Sequence, residues 1–203
     1  MEPKKLVKKG YDNLGESYSR CFKKVHLDKY PIWLNTFLKN LAEGSSILDL
    51  GCANGMPVAK ILSKDFDYLG VDISPVQIEQ ARYSYPEANF LVSDFTKLSF
   101  ARSSFDAILA FYSIIHIPLE DQQDLISSIY QWLRPNGIFM AIVGAKNWTG
   151  TENDWLEAGI SMYWSHTDIE TYLTWFTSTG FILLDKQFVP EGNGGHFLLV
   201  VKK

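Results

Sequence analysis

The chain of 203 residues lacks most of what would mark it as secreted, membrane-spanning or nucleic-acid-binding. It has two cysteines, Cys21 and Cys52, too few for a disulfide framework and in keeping with a reducing cytoplasm. No cysteines or histidines stand at metal-ligand spacing, so no metal is expected. No apolar run reaches the roughly 18 residues that a membrane span requires. Lys4, Lys5, Lys8 and Lys9 are not followed by an apolar core, so a secretory leader is not expected; they read as a solvated helix face. Nineteen basic residues stand against 23 acidic ones, a net charge of −4 that argues against a general nucleic-acid binder. There is no internal repeat, low-complexity tract or linker. With 46% hydrophobic residues, a single domain over residues 1–203 is expected to bury a sizeable core.

What is present begins with Ile47-Leu48-Asp49-Leu50-Gly51-Cys52-Ala53-Asn54-Gly55, a short apolar strand that breaks into a glycine loop. Met56-Pro57 then opens a helix, with Pro57 suited to the first turn. Such a strand–loop–helix lets a ligand approach the backbone closely. Further strands are expected at Tyr68–Val71, ending on Asp72, at Phe90–Val92, ending near Asp94, at Phe105–Phe111 and at Ile138–Val143. Helices are expected from Pro31 to before Gly44, from Ser74-Pro75 and over 119–133, the last closed by the turn sequence Arg134-Pro135-Asn136-Gly137. Strands alternating with helices of about a dozen residues indicate a doubly wound, mostly parallel sheet in three α/β/α layers. Ligands bind at the carboxyl ends of such strands, beside the first one.

Beyond Gly144 the alternation lapses. Residues 145–164 read as irregular, with Trp148, Trp155, Met162, Tyr163 and Trp164. Ser165-His166-Thr167-Asp168 has the spacing of a capping box. Phe181–Val189 and His196–Val201 read as two strands joined at Pro190–Gly195, a hairpin.

Two ligand classes use this architecture. A nicotinamide dehydrogenase would carry G-x-G-x-x-G, but Ala53 and Met56 stand where its second and third glycines belong. The spacing Asp49-x-Gly51-x-Ala53-x-Gly55 resembles instead the class I S-adenosylmethionine-dependent methyltransferases, of the small-molecule kind. Later segments resemble that family in order: Gly70–Ser74, Val92–Phe95, Phe105–Ile108 and Trp132–Gly137. The resemblance runs from about Tyr11 to the C-terminus and implies a seven-stranded Rossmann-like sheet with an antiparallel C-terminal strand.

It also implies roles. Gly51, Cys52, Ala53, Asn54 and Gly55 would form the cofactor loop, with Asp49 acting on the amino group directly or through water. Asp72 would accept both ribose hydroxyls, with Ile73 on the adenine and Gln77 nearby. Asp94 would take the exocyclic amine and Phe95 the ring nitrogen. Phe111 would lie at the cleft edge, while Tyr11 and Tyr18 belong to an N-terminal lid, residues 1–28. There an aromatic face could meet the sulfonium, worth about 0.5–2 kcal/mol. Ordinary packing accounts equally well for these aromatics and for Cys52.

Methyl transfer needs an aligned acceptor and a dry site, and a base only if the nucleophile arrives protonated. His116 and His196 are the candidates for that base, without a choice between them. Trp148, Tyr163, Trp164 and His166 would bind a small, partly aromatic acceptor from the 145–165 insertion. No DNA-methylating signature follows strand four, so neither nucleic acid nor membrane is an expected partner; a monomer and a homodimer are both open. A catalytically silent cofactor-binding module is the alternative reading.

Overall fold

Strand β1 (Ser46–Leu50) sets the frame. Ile47 joins one buried apolar cluster and Leu48 and Leu50 the other, as the two-residue period of a strand dictates. A strand buried on both faces belongs in a sheet covered by helices on each side. The computed structural model describes residues 2–15, 28–39 and 41–203, and it has this arrangement.

After β1 come β2 (Asp67–Asp72), β3 (Asn89–Val92), β4 (Phe105–Ala110) and β5 (Leu133–Gly144). Then follow β6 (Trp148–Trp155), β7 (Ile160–His166), β8 (Ile182–Glu191) and β9 (Gly194–Lys202). Seven of these form one sheet in the order β3-β2-β1-β4-β5-β9-β8, while β6 and β7 pair separately. The first five strands run parallel, and β9 lies antiparallel between β5 and β8. This is the doubly wound sheet with an antiparallel C-terminal strand that the sequence predicts. The winding reverses between β1 and β4, which places a crevice at their carboxyl ends.

The helices are α1 (Pro3–Leu14), α2 (Tyr30–Leu38), α3 (Val58–Leu62), α4 (Pro75–Ser84), α5 (Leu119–Trp132) and α6 (Ile169–Thr179). Trp33, Leu34, Leu62 and Ile78 bring α2, α3 and α4 onto one face. Ile126, Ile129, Tyr172 and Phe176 bring α5 and α6 onto the other. Burial of side chains this size contributes roughly 1.5–3 kcal/mol each.

Local chemistry explains most boundaries. The Ser74 hydroxyl accepts from the Gln77 amide and Pro75 opens α4, as expected. Gly180 closes α6 in the left-handed conformation, φ 108°.

Four expectations are corrected. Pro57 is the residue before α3 rather than its first residue, and α3 is only five residues long. Arg134–Gly137 is a bulged beginning of β5 rather than a turn between elements: Leu133 pairs with Phe105, Ile138 with Ala107, and Asn136 absorbs the extra length at φ 66°. Ser165 does not cap α6, because β7 extends through His166; Asp168 does, accepting from the Thr171 amide. The 145–164 stretch is not irregular. Over most of its length it is the antiparallel pair β6–β7, with Thr149 opposite Ser165 and Thr151 opposite Tyr163.

Candidate active site

A cleft opens at the carboxyl ends of β1, β2 and β4, with about 210 Å³ of space open to the centre of a water molecule. Its floor is the loop after β1. Gly51 has φ 81°, and a Cβ there would meet the Ser113 Cβ at 2.3 Å, so only glycine fits. Ala53 lines the cleft at φ 47° in place of a glycine. Its amide donates to Asp72 Oδ2 at 2.9 Å, while the Ser74 amide donates to Oδ1 at 2.8 Å. Each Asp72 oxygen therefore accepts one backbone proton and keeps capacity for another. Burial pushes the Asp72 carboxyl up to about 6, against the pull of those amides.

Of the expected cofactor residues, Tyr11, Gly51, Ala53, Asp72, Ile73, Asp94, Phe95 and Phe111 line this cleft. Asp49, Cys52, Asn54, Gly55 and Gln77 do not. Asp49 is buried and accepts from the Tyr68 hydroxyl at 2.6 Å; burial above all pushes it up to about 7. Cys52 packs beside Gly70, and burial raises its thiol. Asn54 Oδ1 accepts from the Met56 amide at 3.3 Å. Gly55 has no room for a Cβ beside the Tyr85 ring. Gln77 holds the end of α1, donating to the carbonyls of Tyr11 at 3.1 Å and Gly15 at 3.3 Å. Tyr18 lies outside the described residues.

Helix α1 lies against the cleft as a wall. Lys4, Val7 and Tyr11 line it, at the i, i+3, i+7 spacing of one helix face. Lys4 is no solvated lysine: Nζ lies 2.8 Å from Asp121 and 3.4 Å from Asp94 and donates to Thr96 Oγ1 at 2.6 Å. Asp94 accepts the Thr96 amide as well. At the other end Asp12 accepts from the Ser74 hydroxyl at 2.6 Å.

Both expected catalytic histidines reach the cleft. His116 follows β4 in a 3-10 turn (Ile114–His116). Its Nδ1 lies 2.8 Å from the Tyr163 carbonyl, which can only accept, so Nδ1 carries the proton. Nε2 then accepts from the Tyr11 hydroxyl at 3.1 Å. Burial pulls His116 down to about 4, leaving it neutral, with both nitrogens bound within the protein.

His196 starts β9 differently. Its Nδ1 lies 3.1 Å from Glu191 Oε2, and the Tyr112 hydroxyl donates to Oε1 at 2.5 Å. Its Nε2 has no partner among the described residues.

Of the expected acceptor residues, only Trp164 lines the cleft, with Trp155 and Leu156 beside it. Tyr163 contributes the carbonyl that orients His116. Trp148 is exposed, its ring 6.4 Å from that of Trp164 and 5.9 Å from that of His166. His166 is buried beneath Gly144, its Nδ1 donating to the Lys146 carbonyl at 2.6 Å.

Lys4, Val7, Tyr112, Ser113, Ile117 and Leu156 line the cleft without having been singled out from sequence, whereas Glu191 lies in the turn expected to rim the acceptor pocket. The helical spacing of Lys4, Val7 and Tyr11 was a usable signal. Nothing local marks the others.

Comparison with known proteins places this geometry. The family described as Methyltransferase domain matches residues 47–137. Over that stretch the chain matches a methyltransferase domain, carried on a Rossmann-like fold. Over 119 residues it is 32% identical to a sterol 24-C-methyltransferase of Aspergillus fumigatus, covering 55% of this chain and 30% of that protein. Over 99 residues it is 36% identical to an O-methyltransferase of Pyrenophora dematioidea, covering 45% of this chain and 36% of that protein. The match therefore spans about a third of the length of these curated relatives. A magnesium protoporphyrin IX methyltransferase of Synechocystis, solved with S-adenosylhomocysteine, superposes at a TM-score of 0.77 and 16% identity, covering 100% of both chains. That likeness shows the fold of the methyltransferase domain extended over the full chain.

Proposed function

We propose that the protein transfers the methyl group of S-adenosylmethionine to a small-molecule acceptor. The observation that carries this reading is the carboxylate of Asp72, buried at the end of β2 yet lining a cleft whose floor is the glycine loop. The matching domain family and the names of its relatives support it.

The residues present fit the cofactor. Asp72 has accepting capacity for two ribose hydroxyls. Gly51 and Ala53 bring loop backbone to the cleft surface without a bulky side chain. Ile73 and Phe95 offer apolar surface for an adenine, with Asp94 beside them to receive its amine. Tyr11, from α1, presents an aromatic ring on the opposite wall. When bound, the cofactor supplies an electrophilic methyl carbon on a sulfonium.

The chain's own work is to orient the acceptor, keep water out and manage any proton. Trp155, Leu156 and Trp164 from the β6–β7 hairpin give the acceptor an apolar roof. The relatives' names cover transfer to carbon and to oxygen, so they do not choose the accepting atom. The continuation of the cleft past Asp72 to His196 favours an enzyme over a silent binding module.

The test is thermal unfolding with and without 1 mM S-adenosylhomocysteine. A native-state ligand at 100 times its Kd adds about 2.7 kcal/mol, a rise of several degrees in Tm. An unchanged Tm at millimolar ligand would refute the reading.

A further inference from the structure

We propose that Glu191, braced by Tyr112, is the positioning residue that makes His196 the general base, and that the acceptor is a flat, apolar molecule methylated at an aromatic hydroxyl. This rests on the methyltransferase reading above and deepens it.

The geometry separates the two histidines. His116 spends both ring nitrogens on Tyr163 and Tyr11. His196 gives only Nδ1 to the protein, and its partner Glu191 Oε2 is a carboxylate oxygen with no proton to offer. The imidazole is thereby held with its proton on Nδ1 and its lone pair on Nε2, in a residue that lines the cleft. The second oxygen of Glu191 is fixed by Tyr112 at 2.5 Å.

Tyr112 supplies an independent observation. It sits at φ 55°, a left-handed conformation that is unfavourable for a bulky side chain. Its neighbour Phe111 ends on the inner side, against Tyr30 and Trp33. The strained turn aims the Tyr112 hydroxyl at Glu191, and its ring meets that of His196 edge-on at 5.6 Å. Backbone strain spent on a hydrogen bond beside a cleft marks a constraint of function.

The acceptor's class follows from proton affinity and shape. A phenol, with a pKa near 10, is within reach of an imidazole base when the proton moves as the bond forms. An alkyl alcohol lies many units further away, and a thiol needs little help. The roof of Trp155, Leu156 and Trp164 suits a flat ring. In the step, the hydroxyl oxygen's lone pair forms the bond to the methyl carbon. The electrons of the broken carbon–sulfur bond remain on sulfur, and the hydroxyl proton passes to His196 Nε2. The imidazolium is balanced by Glu191 and then returns its proton to water.

Among the described residues, the groups facing His196 are Glu191 on β8, Tyr112 after β4, His166 on β7 with rings 5.9 Å apart, and His116 across the cleft. Of these, Glu191 is the one that carries a negative charge to offset an imidazolium. Glu191→Gln puts an amide that can donate as well as accept beside Nδ1, so the preference for a proton on Nδ1 should be lost.

The experiment uses wild type, Glu191→Gln, Glu191→Asp and His196→Gln. Calorimetry with S-adenosylhomocysteine comes first. A wild type that does not bind defeats the cofactor reading itself, and this inference with it. Variants that bind within about twofold of wild type confirm that the pair serves the acceptor side. Nitrogen-15 NMR of the complex should then show His196 protonated on Nδ1 in wild type, with that preference lost in Glu191→Gln. An unchanged tautomer would overturn the role of Glu191. Labelled methyl transfer to 2-naphthol and 4-methylphenol should give the ethers. Loss in His196→Gln should be at least about 100-fold, with kcat partly restored in Glu191→Asp relative to Glu191→Gln. Methylation at carbon, preference for 2-naphthylamine, or a cofactor-binding wild type that methylates none of these probes would overturn the acceptor class.

Discussion

At the scale of single residues, the site is decided by what each polar atom is already bonded to. Asp72 makes the point. Its two oxygens fasten the Ala53 and Ser74 amides, shaping the loop, and the same oxygens remain able to accept from a ligand. Replacing it with alanine would leave two buried N–H groups unpaired and confuse folding with binding. Asp72→Asn keeps one acceptor oxygen and nearly the same volume. It should weaken S-adenosylhomocysteine by on the order of 2 kcal/mol, about 30-fold by calorimetry. An affinity within twofold of wild type would remove Asp72 from the binding set. The acids of the site were legible in the sequence, because an acid ending a short apolar strand has a position fixed by the alternation of elements. Glu191 was not legible as a partner. Its role depends on how a turn between β8 and β9 brings it to Tyr112, 79 positions away in the chain.

At the scale of elements, α1 and the β6–β7 hairpin are one assembly laid over the cleft. Gly10 packs on β7, where an added Cβ would come within 2.6 Å of Met162 Cε. Tyr11 meets Trp155 and His116 edge-on at 5.5 and 5.7 Å. The charged ends of α1 are fastened by Lys4 and by Asp12. A larger side chain at Gly10 should lift the helix from the hairpin while leaving the sheet intact. Gly10→Val is therefore expected to speed S-adenosylhomocysteine release by about tenfold or more in stopped flow, the equivalent of about 1.4 kcal/mol of lost closure. An unchanged release rate would show that α1 does not gate the cleft. The hairpin escaped the sequence reading for a physical reason. β6 is exposed along most of its length, so it carries no apolar alternation, and in the turn that follows, Leu156 and Glu157 share positive φ with Gly159, two positions where no glycine marks the bend. β7 does alternate, burying Ile160 and Met162, but half a hairpin is a weak signal. The seven-stranded sheet was legible because each of its central strands is a continuous apolar run between turn residues.

At the scale of the whole molecule, the fold holds two carboxylates out of water beneath its site, and this costs stability in a way that pH reveals. Asp49 rises from 3.8 to about 7 and Asp72 from 3.8 to about 6, each chiefly through burial. A carboxyl whose folded-state pKa is raised binds its proton more tightly in the native state. Its contribution to stability is complete below about pH 4 and is lost as pH rises through its folded value. His116 works the other way. Its fall from 6.5 to about 4 adds stability as pH rises across that range. The opposing slopes largely hide one another in the wild-type curve, so the test is a difference between variants. Asp49→Asn keeps an oxygen to accept from Tyr68 and removes the titration. Relative to this variant, the ligand-free wild type should lose on the order of 2–3 kcal/mol of unfolding free energy between pH 5 and pH 8. Denaturant unfolding at the two pH values measures that difference directly. A constant difference would mean that Asp49 stays ionised throughout. The predicted slope would show that burying this carboxylate beneath the glycine loop lowers the stability of the ligand-free fold.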